Sequence, residues 1–330
     1  MTPALLTPSR PLVAPPEDAT RREFITGVGA AALAAAFLAA CGDDDAAGET
    51  PAATESSTRT ITHEYGTFEL PLSPQRVVAL DGRPGFEAAL ALGFQPIAIG
   101  QDAVVDGELA PFISFDHEDV PLINPNDVDF EALIQLDPEL IIGRDFQLEQ
   151  ALEQLTAIAP ILPIRLDDHW RLALTRLADW LERRLHVDAE LAKYDEQVAA
   201  IQERHAGRLT TAKVALLEYG VSDRTFYRNP HYVQALTLQD LGGRENTFLS
   251  ELPGNSFSIE QLGELNDVEA ILVCGYGDAH ERLEEEALWQ RLPAVAAGRV
   301  VKTDIRTNYG GLYAATGCLD LWDRVYQTLA

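Results

Sequence analysis

Arginine and tyrosine recur just past the short β-branched runs of this chain. Asp81-Gly82-Arg83 follows Arg76-Val77-Val78-Ala79-Leu80, and Gly143-Arg144-Asp145 follows Leu140-Ile141-Ile142. Glu218-Tyr219 follows the run from Lys213 to Leu217, with Asp223-Arg224-Thr225-Phe226-Tyr227-Arg228 shortly after it. Gly275-Tyr276 follows Ala270 to Val273, and Asp304, Arg306, Tyr309 and Tyr313 follow Arg299-Val300-Val301. A guanidinium offers a planar fork of donors to carboxylate, hydroxamate or catecholate oxygens, and tyrosine adds a rigid face with a hydroxyl. Together, Arg83, Arg144, Tyr219, Arg224, Tyr227, Arg228, Tyr276, Arg306, Tyr309 and Tyr313 suit a bulky, oxygen-rich ligand. Any one of these arginines can instead answer a nearby surface acid; it is their repetition at successive run ends that argues for a shared site.

Catalysis has no comparable support. The chain has no G-x-S-x-G, no H-E-x-x-H and no P-loop. His63-Glu64 and His280-Glu281 lack the second histidine of a zinc helix, and His117, His169, His186, His205 and His231 are spread without ligand spacing. An enzyme is therefore not expected, a pocket enzyme staying a formal rival that would need a nucleophile and a base the pattern does not offer, and no direct protein ligands to a metal are expected. Cys41, Cys274 and Cys318 form no C-x-x-C pair, which argues against a structural zinc site or a dithiol redox centre. With 25 Lys and Arg against 52 Asp and Glu the net charge is -27, so a polyanion is repelled and nucleic acid is not an expected partner.

The elements that must carry these residues follow from the apolar pattern. The chain has 330 residues, 46% of them hydrophobic, enough for one large or two medium domains. Buried-strand runs at Arg76–Leu80, Pro96–Ile99, Leu140–Ile142 and Ile161–Ile164 alternate with helix-like segments such as Gly85–Leu92 and Asp129–Leu136. Residues 168–207 then show only helical spacing, and the alternation resumes at Lys213–Leu217, Ala270–Val273 and Arg299–Val301. This predicts an α/β fold of two Rossmann-like lobes with largely parallel sheets, 59–187 and 207–330, joined by a backbone helix over 188–206. A ligand cleft is expected between the lobes, since open parallel sheets bind ligands beyond the carboxyl ends of their strands.

The first residues read differently. Thr20-Arg21-Arg22-Glu23-Phe24-Ile25-Thr26 is a twin-arginine pattern, and the uncharged run from Gly27 leads to Leu38-Ala39-Ala40-Cys41-Gly42. That is an export signal over 1–40 ending in a lipobox, with Arg21 and Arg22 addressing the export route and the Cys41 thiol accepting the lipid. Equal numbers of acids and bases leave with the signal, so the processed chain keeps its charge. Residues 41–58 are Asp, Ala, Gly, Thr and Ser with little to bury, as in a flexible tether. An extracytoplasmic, lipid-anchored location on the cell membrane is expected.

The mature chain resembles the substrate-binding lipoproteins of iron-siderophore ABC importers, the periplasmic-binding-protein class with two lobes on a rigid helix that also serves cobalamin and haem. The segments that carry the resemblance are Ser73–Leu80, Glu87–Gly93 leading into Pro96-Ile97-Ala98, Asp129–Leu133, Leu136–Ile142, Leu241-Gly242-Gly243, Ser258–Leu262 and Trp289–Val301. They run in the family's order over about residues 60 to 330. The resemblance implies a monomer that holds a ferric siderophore in its cleft, with iron bound through the chelator and no cofactor of its own, and delivers it to a permease dimer with its ATPase. Arg144, with Arg224 or Arg228 and Arg306, is then expected to grip the ligand, while Tyr227, Tyr276 and Tyr309 pack on its periphery. Haem or cobalamin is the alternative cargo, with Tyr219, Tyr276 or His231 as possible metal ligands. Glu131 and Glu260 stand where relatives present one glutamate per lobe to permease arginines. Cys274 and Cys318, both in the second lobe, are open to pairing or to burial as free thiols.

Overall fold

Strand residues apolar on both sides must lie between two covering layers, and this decides the layering here. In Val77-Val78-Ala79-Leu80, Val77 and Ala79 turn to one core and Val78 and Leu80 to another, all four fully buried. The structure, a computed structural model, describes residues 58–330. The expected signal, Cys41 and all but the last residue of the expected tether lie outside the described residues.

The first lobe opens with an antiparallel hairpin of β1 (Thr58–His63) and β2 (Gly66–Pro71). The alternation follows: β3 (Val77–Ala79), α1 (Pro84–Ala91), β4 (Ala98–Gly100), β5 (Leu122–Ile123), α2 (Phe130–Gln135), β6 (Leu140–Arg144), α3 (Asp145–Gln150), α4 (Leu152–Ile158) and β7 (Ile161–Ile164). The strands β5-β4-β3-β6-β7 form one wholly parallel sheet. Two helices then leave it, α5 (Trp170–Trp180) and α6 (Arg184–Leu209).

The second lobe contains β8 (Lys213–Gly220), β9 (Thr225–Tyr227), α7 (Val233–Asp240), β10 (Arg244–Glu245), α8 (Thr247–Ser250), β11 (Ser256–Ser258), β12 (Ala270–Gly275), α9 (Ala279–Glu284), α10 (Ala287–Gln290), α11 (Pro293–Ala296), β13 (Val300–Asp304) and α12 (Leu312–Gln327). Its sheet runs β11-β9-β8-β12-β13, with β10 also on β8. The pairs among β8, β10, β12 and β13 are parallel, whereas β9 and β11 add an antiparallel edge. The two edge strands, three residues each, carry too little pattern to be read from sequence.

The helix between the lobes is longer than the expected 188–206. It begins at Arg184 because the break after α5 falls at Glu182, whose backbone takes φ +52°, and Val187 already belongs to the buried face. Its 26 residues span about 39 Å at ~1.5 Å each, with a kink at His205 (φ -116°, ψ 19°). One apolar core takes in Val77, Ala79, Leu140 and Ile142 from the first sheet and Val214, Leu216, Ala270 and Leu272 from the second. Residues of α1, α5, α6, α7 and α12 fill it, so the lobes share packed side chains as well as the connecting helix. Cys274 and Cys318 are both free and buried, and burial pushes both thiols up. Among the described residues no helix is long and apolar enough to cross a membrane.

Candidate functional site

The carboxyl end of β3 is organised around a carboxylate. Asp81 is fully buried, and its Oδ1 accepts hydrogen bonds from the amides of Arg83 (3.0 Å) and Gly85 (3.1 Å), while Oδ2 accepts from the amide of Arg144 (3.1 Å). One side chain thus ties the end of β3 to the start of α1 and the end of β6. The turn needs glycine: a Cβ on Gly82 would lie 1.9 Å from the amide nitrogen of Ala103, and one on Gly100 2.3 Å from that of Gly82. Asp102, just past β4, accepts from the Gly82 amide (2.7 Å) and from Arg144 Nη2 (3.0 Å), and Arg144 Nε donates to Gln147 (3.0 Å). Burial pushes the Asp81 carboxyl up against the opposing pull of Arg144.

The second lobe repeats the theme with other partners. Arg224, at φ +52° in the turn between β8 and β9, forks onto Glu286 (2.8 and 2.7 Å). Arg228 does the same to Glu245 (3.1 and 2.5 Å), and Arg306 Nη2 lies 2.6 Å from Asp304. Tyr227 donates to Asp223. Glu218, at the end of the central strand β8, accepts from Tyr232 (2.8 Å) and Asn308 (2.7 Å), and the rings of Tyr232 and Tyr309 meet edge to face at 5.0 Å.

The side chains of Arg83, Arg306 and Glu87 reach across the seam between the lobes. Arg83 Nη1 donates to the Ile305 carbonyl (3.4 Å), and Arg306 Nη1 returns the gesture to the Leu109 carbonyl (3.2 Å). Glu87, buried in α1, accepts from the amides of Gly311 (2.9 Å) and Ala314 (2.8 Å) at the start of α12. Burial pushes the Glu87 carboxyl up to about 7 against those amide bonds. Beside the seam, a largely apolar recess is lined by Leu166 and Trp170 from one side and by His231, Tyr309 and Leu312 from the other.

Measured against expectation, the strand ends do meet across one seam, but the arginines there are already engaged. Arg83 and Arg306 strap the lobes together, and Arg224 and Arg228 are held by glutamates. Arg144 holds Asp102 and stands beside Asp81, with Nη1 outside those bonds. Tyr219 is a correction: its ring packs on Phe226 in the outer core at 4% exposure, and its hydroxyl donates to Glu286, so it cannot reach a ligand or a metal in this arrangement. Tyr313 lies on α12 against the shared core, with Glu190 of α6 in its surroundings, on the hinge side. Tyr276 is 68% exposed past β12, and Tyr227 and Tyr309 are partly exposed. Sequence reasoning missed the acids that receive the arginines, although Asp81 and Asp304 stand at the same run ends.

Glu131 is exposed in the first turn of α2, behind Asp129, whose Oδ1 accepts from the Ala132 amide (3.0 Å). Glu260 is exposed too, behind the Ser258–Gln261 capping box, in a 3₁₀ run (Ile259–Leu265) and not an α-helix.

The periplasmic binding protein family model matches residues 77–307. The probable siderophore-binding lipoprotein YfiY of Bacillus subtilis (strain 168) is 25% identical over 311 residues, covering 87% of this chain and 93% of that protein. The Fe(3+) dicitrate-binding periplasmic protein FecB of Escherichia coli (strain K12) is 25% identical over 274 residues, covering 78% and 86%. Among solved structures, the triscatecholate siderophore binding protein FeuA from Bacillus subtilis, complexed with ferri-bacillibactin, superposes with a TM-score of 0.66 at 18% identity, over 82% of this chain and all of that one. Two α/β lobes on a connecting helix, with the strand ends meeting at one seam and a family match across most of the chain, place this protein in the periplasmic binding protein family.

Proposed function

We propose that this protein is a membrane-tethered receptor that captures a ferric siderophore between its lobes and delivers it to the permease of an ABC importer. The observation that carries this reading is the seam itself: strand ends of both lobes meet there, offering hydrogen-bonding side chains beside an aromatic recess. The names of YfiY, FecB and FeuA support iron chelates as the cargo class. Iron enters as part of the chelate, and the protein supplies shape, hydrogen bonds and electrostatics. Equilibrium dialysis of the intact protein against iron-59 chelates tests the reading: saturable binding of a ferric siderophore and weaker binding of haemin or cobalamin are expected, and binding of none of the ferric chelates overturns it.

The tether belongs to the same proposal. Cys41→Ser removes the nucleophile that accepts the lipid, so an uncleaved, unlipidated precursor is expected on a gel of labelled cells. Recovery of that variant in the membrane at the normal processed mass would refute lipidation at Cys41.

A further inference from the structure

We infer that the cleft selects a cationic or neutral ferric chelate over an anionic one, with Glu218 and Asp223 as its charge-selecting residues. The inference rests on the siderophore reading above and adds the charge class of the cargo.

Five arginines at the strand ends suggest an anion site, but four of them are paired with acids. Arg224, Arg228 and Arg306 fork onto Glu286, Glu245 and Asp304. Arg144 bonds Asp102, lies 3.7 Å from Asp81, and so faces two acids. Arg83 gives Nε and Nη1 to the carbonyls of Asp102 and Ile305. At Arg144, Arg224, Arg228 and Arg306 an anionic ligand would have to compete with the carboxylate already there, and displacing it leaves that carboxylate facing the incoming anion.

Two carboxylates at the strand ends of the second lobe have no ion-pair partner among the described residues, Glu218 on β8 and Asp223 in the turn before β9. Glu218 is held by the Tyr232 hydroxyl and the Asn308 amide, both on Oε2, and Oε1 takes no part in either bond. Asp223 is held by the Tyr227 hydroxyl and the Thr225 amide. Neutral donors hold these carboxylates in position and leave their charge uncompensated. Burial and the Glu218 carboxylate push the Tyr232 phenol far up, which keeps it a donor to that carboxylate. The Tyr232 ring, whose hydroxyl bonds Glu218, meets the Tyr309 ring edge to face at 5.0 Å, so aromatic surface suited to an ammonium lies near the carboxylate. The net charge of -27 adds a long-range field of the same sign.

Equilibrium dialysis of the intact protein in detergent, at low ionic strength, separates the classes. The probes are iron-59 complexes of desferrioxamine B (a trihydroxamate with a free ammonium), of a neutral cyclic trihydroxamate, of a tris-catecholate and of citrate. Affinity is expected in the order cationic, neutral, anionic, with at least about tenfold between the ends. Glu218→Gln keeps the hydrogen bond to Tyr232, and Asp223→Asn keeps that to Tyr227; each should weaken the ammonium-bearing complex about tenfold and leave the anionic ones unchanged or tighter. If the tris-catecholate or citrate complex binds more tightly than the cationic one, this inference falls and the siderophore reading stands. If both variants bind the cationic complex as the wild type does, the charge-selecting role is wrong. If no ferric chelate binds, the siderophore reading falls with it.

Discussion

Arg144 shows what a single side chain does at the strand ends. It stands within 3.7 Å of the fully buried Asp81 and 3.0 Å of Asp102, so its loss leaves a carboxylate in the interior with only amides for company. Breaking one side of a buried pair costs about 3 to 5 kcal/mol. Arg144→Ala is therefore expected to lower unfolding free energy by about 3 kcal/mol in urea denaturation, and a loss below about 1 kcal/mol would mean that Asp81 does not depend on it. Glu87 carries the opposite signature. Burial raises its carboxyl from the ordinary 4.5 to about 7, so the folded state holds the proton more tightly than the unfolded chain does. Its favourable contribution is complete below pH ~4.5, declines as pH rises toward ~7 and is gone above that, a change of about 3 kcal/mol. In Glu87→Gln that decline should disappear. Urea midpoints for both proteins from pH 4 to pH 8 check it, and parallel curves would contradict the assignment.

At the scale of elements, the shared core makes the lobes one cooperative body. Residues of both sheets and of α1, α5, α6, α7 and α12 interdigitate in it, so neither lobe can lose its packing alone. Gln197 is exposed in the middle of α6; a proline there removes a helix hydrogen bond at a cost of ~3 kcal/mol or more. Gln197→Pro should lower the midpoint of a single transition followed by both far-UV circular dichroism and tryptophan fluorescence. Two separated transitions would mean that the lobes unfold independently. The same packing explains what could be read beforehand. Val77–Leu80 and Leu140–Ile142 were legible because they are apolar on both faces, and α2 because Asp129 caps it. The edge strands β9 and β11 were hidden by their length. The engagement of each arginine was hidden for another reason: Arg144 meets Asp102 across 42 positions of sequence and Arg224 meets Glu286 across 62, and no local pattern reports such pairs.

For the whole molecule, the question is which surface the transporter meets. Glu131 on the first lobe and Glu260 on the second are both exposed, each two residues behind a cap that fixes its backbone. A purely local role would be modest: a carboxylate in the first turn of a helix contributes at most about 1 kcal/mol, and the 3₁₀ run at Glu260 has little macrodipole to offer. A docking role has a different signature, because charges at the rim of an interface govern association and leave the fold untouched. Glu131→Arg combined with Glu260→Arg is therefore expected to unfold at the wild-type midpoint and to bind the ferric chelate with wild-type affinity. Uptake of iron-59 by cells carrying the native permease should nonetheless be lost, since like charges would meet at two points. Each single variant should be partly impaired, because one correct contact remains. Wild-type uptake by the double variant would return both residues to the role of helix-start acids. Loss of chelate binding by it would place them in the cleft instead. The surface on which the cargo is handed over would then have to be sought elsewhere on a molecule whose net charge is -27.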